Sequence, residues 1–232
     1  MAENTTEAFT QGHVIVDLHR LTQDLTATSC LSPQEQAKAD TFHFERDRHR
    51  YLECHARLRH QLSTLLDQEP ESVELETDHY GKPFLPGFPL HFNISHAGPL
   101  YAAAFCRDHE IGIDVEVLPI QGKLIELTEY ICHDDERLQL DSLATLSERE
   151  DQLLFYWTAK EAILKALGVG LQIEPKLLQV LGTPSDGHGH FASSELNAKP
   201  EHWQWHLLKD HPSHKLTLVL PRQHEARIVF QQ

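Results

Sequence analysis

The chain has 232 residues, about a quarter of them charged, and a formal net charge of −15 at pH 7. This length suffices for a full hydrophobic core in one domain or two small ones. The negative charge argues against nucleic-acid binding, because neutralising phosphates requires a concentrated basic face. The apolar runs are too short to cross a membrane and the acidic N-terminus does not resemble a secretion signal, so we expect a cytoplasmic protein that does not bind membranes.

Residues 1–12 are predicted to form a loose tail, and the alternation of Val14, Val16 and Leu18 predicts a first strand over 13–19. Ser32 and Pro33 stand in the order typical of a helix start. The pattern from 38 to 66 is helical and unusually basic. Strands are then predicted near 72–77, 90–95, 100–106 and 110–117.

The second half repeats this plan. Short helices within 122–145 precede a long helix from about 147 to 167, which ends at Gly168. Strands are predicted near 176–181, 190–196, 202–209, 214–220 and 226–230.

A helix followed by antiparallel strands, twice, indicates an α+β fold of two similar halves, each a long helix packed on a small antiparallel sheet. We assign residues 13–112 to the N-terminal half and 113–232 to the C-terminal half. The active site is expected in the cleft between them, because ligand sites favour such interfaces. A monomer is expected, since the two halves already supply the interface that a homodimer would make.

Four cysteines are scattered along the chain without a CxxC pair: Cys30, Cys54, Cys106 and Cys132. Their spacing predicts free, mostly buried thiols rather than a disulfide framework or a zinc knuckle. Two of the 18 histidines, His188 and His190, lie among residues typical of an exposed hairpin loop. We interpret the histidines as polar residues that become charged in mild acid, and not as a metal store.

One predicted strand carries two carboxylates on the same face. The apolar residues of 111–117 alternate, so Asp114 and Glu116 lie together on the opposite side. Neighbouring carboxylates repel each other, and a hard cation would remove this conflict. With a carboxylate from another element, such as Glu161, they would form an oxygen-rich site suited to Mg²⁺. A solvated edge strand is the competing explanation.

The long helix before Gly168 places acidic and basic groups beside an aromatic ring. Trp157, Glu161 and Lys165 share one face at a spacing of four residues, and Lys160 lies beside them. For this helix alone, a surface Glu–Lys ion pair worth a few tenths of a kcal/mol is the simpler explanation.

Two segments of the N-terminal half are candidates for binding phosphate. Lys82 is held between Gly81 and Pro83, although such turns are common on protein surfaces. At the end of the strand near 90–95, the hydroxyl of Ser95 and the imidazole of His96 suit a phosphate. A capped strand end before a turn explains the second segment equally well.

These motifs resemble those of the 4′-phosphopantetheinyl transferases, specifically the single-chain, pseudo-dimeric type related to the surfactin-synthetase activator. The resemblance spans roughly residues 38 to 171. Four motifs carry it, in order: Gly81-Lys82-Pro83, Phe92-Asn93-Ile94-Ser95-His96, Ile111-Gly112-Ile113-Asp114-Val115-Glu116, and Trp157-Thr158-Ala159-Lys160-Glu161-Ala162-Ile163-Leu164-Lys165 with Gly168-Val169-Gly170-Leu171. The resemblance implies transfer of the phosphopantetheine arm from coenzyme A to a serine of an apo acyl or peptidyl carrier protein, with Mg²⁺ as cofactor and 3′,5′-ADP as product.

The resemblance also implies a role for each matching residue. Mg²⁺ would be bound by Asp114, Glu116 and Glu161. Of these, Asp114 would also contact coenzyme A, and Glu161 would accept the serine proton directly or through a water. The other coenzyme A contacts are implied at Lys38, Arg50, Lys82, Pro83, Ser95, His96, Lys160 and Lys165. In this set, Lys82 and Pro83 would flank the adenine, whereas Lys160 and Lys165 would join Glu161 as catalytic groups.

Two residues depart from the family pattern, since Ala97 stands where Ser or Thr is frequent and Val169 where Lys is common. The apolar segment 118–127 is a candidate docking surface for a carrier protein, with a buried connecting helix as the alternative. A catalytically silent module that binds coenzyme A or a carrier protein is the alternative function. A Mg²⁺-dependent phosphohydrolase would use the same carboxylates on water.

Overall fold

The computed structural model describes residues 12–22, 24–117, 124–193, 196, 199–211, 213–223 and 227–230. The N-terminal half contains two helices, α1 (Pro33–Ala39) and α2 (Glu45–Leu66). Its five strands are β1 (His13–Arg20), β2 (Glu76–Thr77), β3 (Pro83–Phe84), β4 (His91–Ala97) and β5 (Leu100–Cys106).

The C-terminal half begins with strand β6 (Gly112–Val117). Three helices follow: α3 (Thr128–Ile131), α4 (Asp134–Ser142) and α5 (Leu146–Leu167). The last five strands are β7 (Gln179–Leu181), β8 (His188–Ala192), β9 (Trp203–His211), β10 (His214–Pro221) and β11 (Arg227–Phe230). The α+β prediction is confirmed, and each half carries one helix of 22 residues.

The helix boundaries follow the local sequence. A reciprocal capping box between Ser32 and Glu35 begins α1, as Thr145 and Glu148 do for α5. Gly168 ends α5 with a left-handed φ of 68°, which a residue without a Cβ adopts at little cost. The predicted helical stretch 38–66 is interrupted at 40–44, so α1 and α2 are separate helices.

Two sheets stack face to face between the long helices. The first has the order β11-β1-β5-β4 and the second β6-β10-β9-β8-β7. One apolar cluster joins α2 to the first sheet, another joins the two sheets, and a third joins the second sheet to α5. The layers therefore run helix, sheet, sheet, helix.

The last strand crosses from one half to the other. Strand β11 pairs with β1 in parallel, with Val14 opposite Ile228. Residues 227–230 therefore lie in the first sheet, beside strands of residues 13–112. The pairing arises because β1 would otherwise expose an unpaired edge.

The edge strands β4 and β6 meet where the two sheets adjoin. The Asn93 side-chain oxygen on β4 accepts a hydrogen bond from the Ile113 backbone amide on β6, at 2.9 Å. On the other side of β6, α5 packs so closely that only glycine fits at position 112. Strand β6 is thus held between the first sheet and α5.

Other expectations have mixed outcomes. All four cysteines are free and buried, as predicted. His188 and His190 lie in strand β8 rather than in a loop, and the hairpin turn precedes them. Within the described ranges, no helix combines the length and apolar character needed to cross a bilayer.

The close packing of β6 on α5 makes Gly112→Ala a sharp test. A Cβ there would lie 1.9 Å from the Ala162 carbonyl oxygen and 2.7 Å from the Ala166 amide nitrogen. We expect the free energy of unfolding, measured by urea denaturation, to fall by at least about 3 kcal/mol, since backbone atoms must move.

Gly81→Ala is the control, because Gly81 has a positive φ of 85° but open space around it. Backbone strain alone costs about 1–2 kcal/mol there. Equal losses in the two variants would mean that the approach of β6 to α5 is not tight.

Candidate active site

A cavity of about 340 Å³ opens where β4, β6, α2 and α5 converge. Its lining includes both strand carboxylates, Asp114 and Glu116, and the helix residues Glu161 and Lys165. Ser95 and His96 of β4 face them. The structure therefore brings together all three predicted metal ligands and three of the predicted phosphate-binding side chains.

Asp114 is the most buried carboxylate of the cavity. Its Oδ1 accepts hydrogen bonds from the Ser95 hydroxyl at 2.7 Å and the Lys165 ammonium at 2.6 Å. Its Oδ2 is buried and has no partner within the described part of the chain. Burial raises the pKa of Asp114, and the Lys165 charge opposes this shift. One oxygen is thus held by the protein and the other is free to bind a cation.

Lys165 links the three elements that form the cavity. From α5 its ammonium donates to Asp114 on β6 and to the Ser95 hydroxyl on β4, the latter at 2.9 Å. The side chain remains 26% exposed, so the ammonium can also contact an anion in the cavity.

Glu116 and Glu161 complete the carboxylate group. The Trp157 indole donates to Glu116 Oε1 at 3.0 Å, and Glu161 Oε1 is buried without a partner. Burial, followed by the charge of Asp114, raises the pKa of each of these glutamates to about 7. Mutual repulsion and burial therefore make both groups readily protonated near neutral pH.

Among the residues that the structure describes, no three His, Cys, Asp or Glu side chains form a ready-made metal site. Two features nevertheless fit a cation. One oxygen of Asp114 and one of Glu161 are buried without a partner among the described residues. Burial raises the pKa of all three carboxyls, and the charge of Asp114 adds to it for the two glutamates, so a bound cation would favour their ionised forms. Binding of Mg²⁺ by these residues stays a prediction.

His96 lies at the rim of the cavity near two cations. Burial lowers the pKa of His96, and the charges of Arg50 and Lys165 lower it further. Arg50 donates to Asp47 at 2.6 Å and is half-buried on α2. Lys38 is exposed on α1 and does not line the cavity. Of the predicted basic residues on these helices, Arg50 is therefore the one placed near the site.

Lys82 and Pro83 line a second cavity of about 500 Å³. Lys82 donates to Glu110 at 2.8 Å, and that carboxylate also bonds His91. The far wall is the end of α5, at Ala166–Gly168. Because the first cavity uses Glu161 and Lys165 of the same helix, the two cavities follow one another along α5.

The structure places Lys160 away from the cavity. Its ammonium is fully buried on the other side of α5, where it donates to Glu136 at 2.5 Å and to the Ile131 carbonyl at 2.7 Å. Consecutive helical residues point about 100° apart, and here Lys160 turns toward α4 while Glu161 lines the cavity. The sequence contained no sign that Glu136 would be the partner.

Four residues of the cavity wall were not predicted from the sequence: Ile94 on β4 and Tyr51, Cys54 and His55 on α2. The polar ones among them are Tyr51 and His55. Their spacing of four residues places them on one helix face, which is the signal that could have identified them. For the candidate docking surface, residues 118–123 lie outside the described part of the chain. Beyond them, Leu124 is buried and Leu127 is half exposed.

Two models of one family match the chain. Residues 110–219 match the 4′-phosphopantetheinyl transferase superfamily, and residues 21–107 match the model described as 4′-phosphopantetheinyl transferase, N-terminal. Together the two matches cover most of the chain. Their junction falls just before β6, which carries Asp114 and Glu116.

Several similar proteins carry the same family name. The chain is 37% identical over 154 residues to the 4′-phosphopantetheinyl transferase HetI of Nostoc sp. PCC 7120, covering 64% of this chain and 63% of that protein. It is 32% identical over 151 residues to the 4′-phosphopantetheinyl transferase Sfp of Bacillus subtilis strain 168, covering 62% and 63%. It is 27% identical over 158 residues to the L-aminoadipate-semialdehyde dehydrogenase-phosphopantetheinyl transferase of Xenopus laevis, covering 63% and 52%.

The chain therefore belongs to the 4′-phosphopantetheinyl transferase superfamily. The matched regions span somewhat less than two thirds of the length of each of these three relatives.

The raised pKa of Glu161 predicts a pH-dependent effect of Glu161→Gln on metal-free protein. The folded carboxyl binds its proton more tightly than the unfolded one, so this contribution to stability is lost as pH rises through about 7. We expect Glu161→Gln to be more stable than the wild type by about 1–3 kcal/mol at pH 8, with a much smaller difference at pH 5. Urea denaturation in chelator measures both.

Glu150→Gln, an exposed change in the same helix, is the control and should have little effect at either pH. A stability difference for Glu161→Gln that does not vary with pH would contradict the raised pKa.

The buried pair of Lys160 and Glu136 predicts a structural role for Lys160. Lys160→Met leaves the Glu136 carboxylate buried without its cation, so the free energy of unfolding should fall by about 3–5 kcal/mol. Lys160→Met combined with Glu136→Gln should recover part of this loss, because no charge remains buried and an acceptor is kept for the Val180 amide.

Lys176→Met, at an exposed ion pair with Glu174, should change stability by less than about 1 kcal/mol. If Lys160→Met were as stable as the wild type but bound coenzyme A more weakly, the ammonium would have to reach the ligand after all.

Proposed function

We propose that this protein transfers the 4′-phosphopantetheine arm of coenzyme A to a serine of an acyl or peptidyl carrier protein, with release of 3′,5′-ADP. One observation carries the proposal. Carboxylates from β6 and α5 converge on a partly exposed lysine, in a cavity between the two halves. This charge pattern suits attack on a diphosphate, because such reactions depend on positioning and charge neutralisation.

The two cavities suit the two ends of the coenzyme's nucleotide part. Lys165 and His96 supply donors for the diphosphate in the smaller cavity, Ser95 lies beside them, and Arg50 adds positive charge nearby. The adenine would lie in the larger cavity beside Lys82 and Pro83. Because both cavities border α5, one elongated ligand can occupy them together.

Asp114, Glu116 and Glu161 would hold Mg²⁺, which when bound supplies Lewis-acid neutralisation of the diphosphate charge. Their oxygen-only donor set is the kind that Mg²⁺ prefers. The Lys165 ammonium, on α5, donates to Asp114 and also to the Ser95 hydroxyl on β4, and these contacts keep Asp114 in position.

The reaction forms one bond and breaks one. The serine oxygen of the carrier protein bonds to the phosphorus that bears the pantetheine arm, and the anhydride bond from that phosphorus to the oxygen of the other phosphate breaks. Glu161 accepts the serine proton, directly or through a water. The Lys165 ammonium stabilises the charge that develops on the leaving phosphate.

The carrier protein would bind by local apolar contact. Carrier proteins are typically acidic and this chain has a net charge of −15, so long-range attraction is unfavourable. Residues 118–127 are the proposed docking segment. We further propose that the protein works as a cytoplasmic monomer.

Mass spectrometry of the acceptor tests this function. The protein is incubated with Mg²⁺, coenzyme A and a panel of apo acyl and peptidyl carrier proteins, with and without chelator. We expect a chelator-sensitive gain of one phosphopantetheine arm on a single serine. Hydrolysis of coenzyme A without labelling would indicate a phosphohydrolase, and binding without reaction would indicate a silent module.

Asp114→Asn tests the carboxylate that anchors the site. It keeps the size of the side chain but removes the charge that faces Lys165, and kcat/KM for carrier labelling should fall by roughly 100-fold or more. Asp141→Asn is a matched control, because Asp141 is exposed on α4 outside the cavity. Unchanged activity of Asp114→Asn would remove this carboxylate from the mechanism.

A further inference from the structure

A carboxylate on α1 orients an imidazole at the wall of the smaller cavity. Glu35 Oε1 bonds His55 Nδ1 at 3.2 Å, and the His55 ring stacks on Tyr51 with centroids 4.0 Å apart. Both His55 and Tyr51 line the cavity that contains Lys165. One nitrogen and one ring face of His55 are therefore engaged, which leaves the Nε2 edge for the cavity.

Glu35 stays ionised in this setting. Burial would raise its pKa, but hydrogen bonds from His55, the Ser32 amide and Arg59 outweigh burial and lower it to about 2. A charged carboxylate next to Nδ1 keeps a proton on that nitrogen. In the neutral ring Nε2 is then an acceptor, and in the imidazolium it is a second donor.

Glu35 has a charged partner besides His55. Arg59 already donates to Glu35 Oε2 at 2.7 Å, and its side chain is only 3% exposed. Arg59 also donates to two backbone carbonyls, those of Pro70 and Val73. The Glu35–Arg59 pair thus holds α1 on α2 without His55, whose side chain remains 18% exposed.

The surroundings of His55 favour an anion over a cation. Arg50 lies one residue before Tyr51 on α2, and the charges of Arg50, Lys165 and His55 all lower the pKa of His96. These basic groups are therefore close together. The carboxylates Asp114, Glu116 and Glu161 belong to β6 and α5, whereas Arg50 and His55 belong to α2, and Asp47 and Glu35 each bond one of them.

We propose that His55, oriented by Glu35 and Tyr51, binds the diphosphate of coenzyme A through Nε2. This role rests on the proposed function, because it assigns a further contact to the same substrate. An imidazole between the Glu35 carboxylate and a phosphate oxygen donates to both as the imidazolium, and charge-assisted hydrogen bonds of this kind are the stronger ones. We assign the diphosphate to His55, and not another part of coenzyme A, because His55 shares its cavity with the three carboxylates and Lys165.

Titration calorimetry of His55→Asn with coenzyme A and Mg²⁺ tests the proposal. Asparagine retains a polar group near Glu35 but does not extend to the position of Nε2. We expect the Kd for coenzyme A to rise at least about 10-fold, as expected for loss of a charged hydrogen bond. Dephospho-coenzyme A keeps the diphosphate and lacks the 3′-phosphate, so its Kd should rise by the same factor.

Two variants control for structural damage. His60→Asn makes the same change at an exposed position of α2 and should leave both affinities unchanged. His55→Gln extends further toward the cavity and should recover part of the lost affinity. If thermal unfolding shows that His55→Asn is not folded at the assay temperature, His55→Gln carries the comparison with the wild type.

The outcomes separate the two proposals. If the wild type binds coenzyme A and labels a carrier protein, and the folded His55 variants bind coenzyme A equally well, only the role of His55 is overturned. A loss seen with coenzyme A but not with dephospho-coenzyme A would assign His55 to the 3′-phosphate and overturn the diphosphate contact. A wild type that does not bind coenzyme A would overturn both.

Discussion

The site depends on one ion pair, between Lys165 of α5 and Asp114 of β6, with the Ser95 hydroxyl of β4 bonded to both partners. These three residues belong to three elements and to both halves of the chain. An ammonium shared by a carboxylate and a hydroxyl fixes the spacing of β4, β6 and α5 at the cavity. The arrangement tolerates burial of Asp114 because its Oδ1 has two donors.

The same packing creates the unfavourable part of the site. Glu116 and Glu161 lie near Asp114 in a partly dry cavity, and one ammonium does not compensate three carboxylates. Burial and the charge of Asp114 raise the pKa of both glutamates to about 7, so each is readily protonated near neutral pH. A bound cation together with an anionic substrate would relieve this repulsion.

Charge is separated across the cavity and along it. In the smaller cavity, the imidazoles lie on α2 and at the end of β4, and the carboxylates lie on β6 and α5. The larger cavity is lined by the aromatic residues Tyr80, Phe84 and Phe88. A ligand with an aromatic base, phosphates and a polar arm matches this order. The buried pair Lys160–Glu136 contributes in another way, since it joins α5 to α4 and β7 behind the site.

Periodicity and local signals in the sequence were enough for the α+β class, the two long helices, most strands and the shared face of Asp114 and Glu116. Caps, glycine stops and alternating apolar residues act over a few neighbouring positions, so they can be read from the chain. The motifs likewise indicated Ser95, His96, Glu161 and Lys165.

Only the tertiary structure decided which of these groups meet. It buried Lys160 against Glu136, left Lys38 exposed, placed β11 in the first sheet, and brought His55 to the cavity through Glu35. The positions of Lys160, β11 and His55 depend on contacts between residues at least 20 positions apart. Such partners are set by how the layers pack rather than by local pattern.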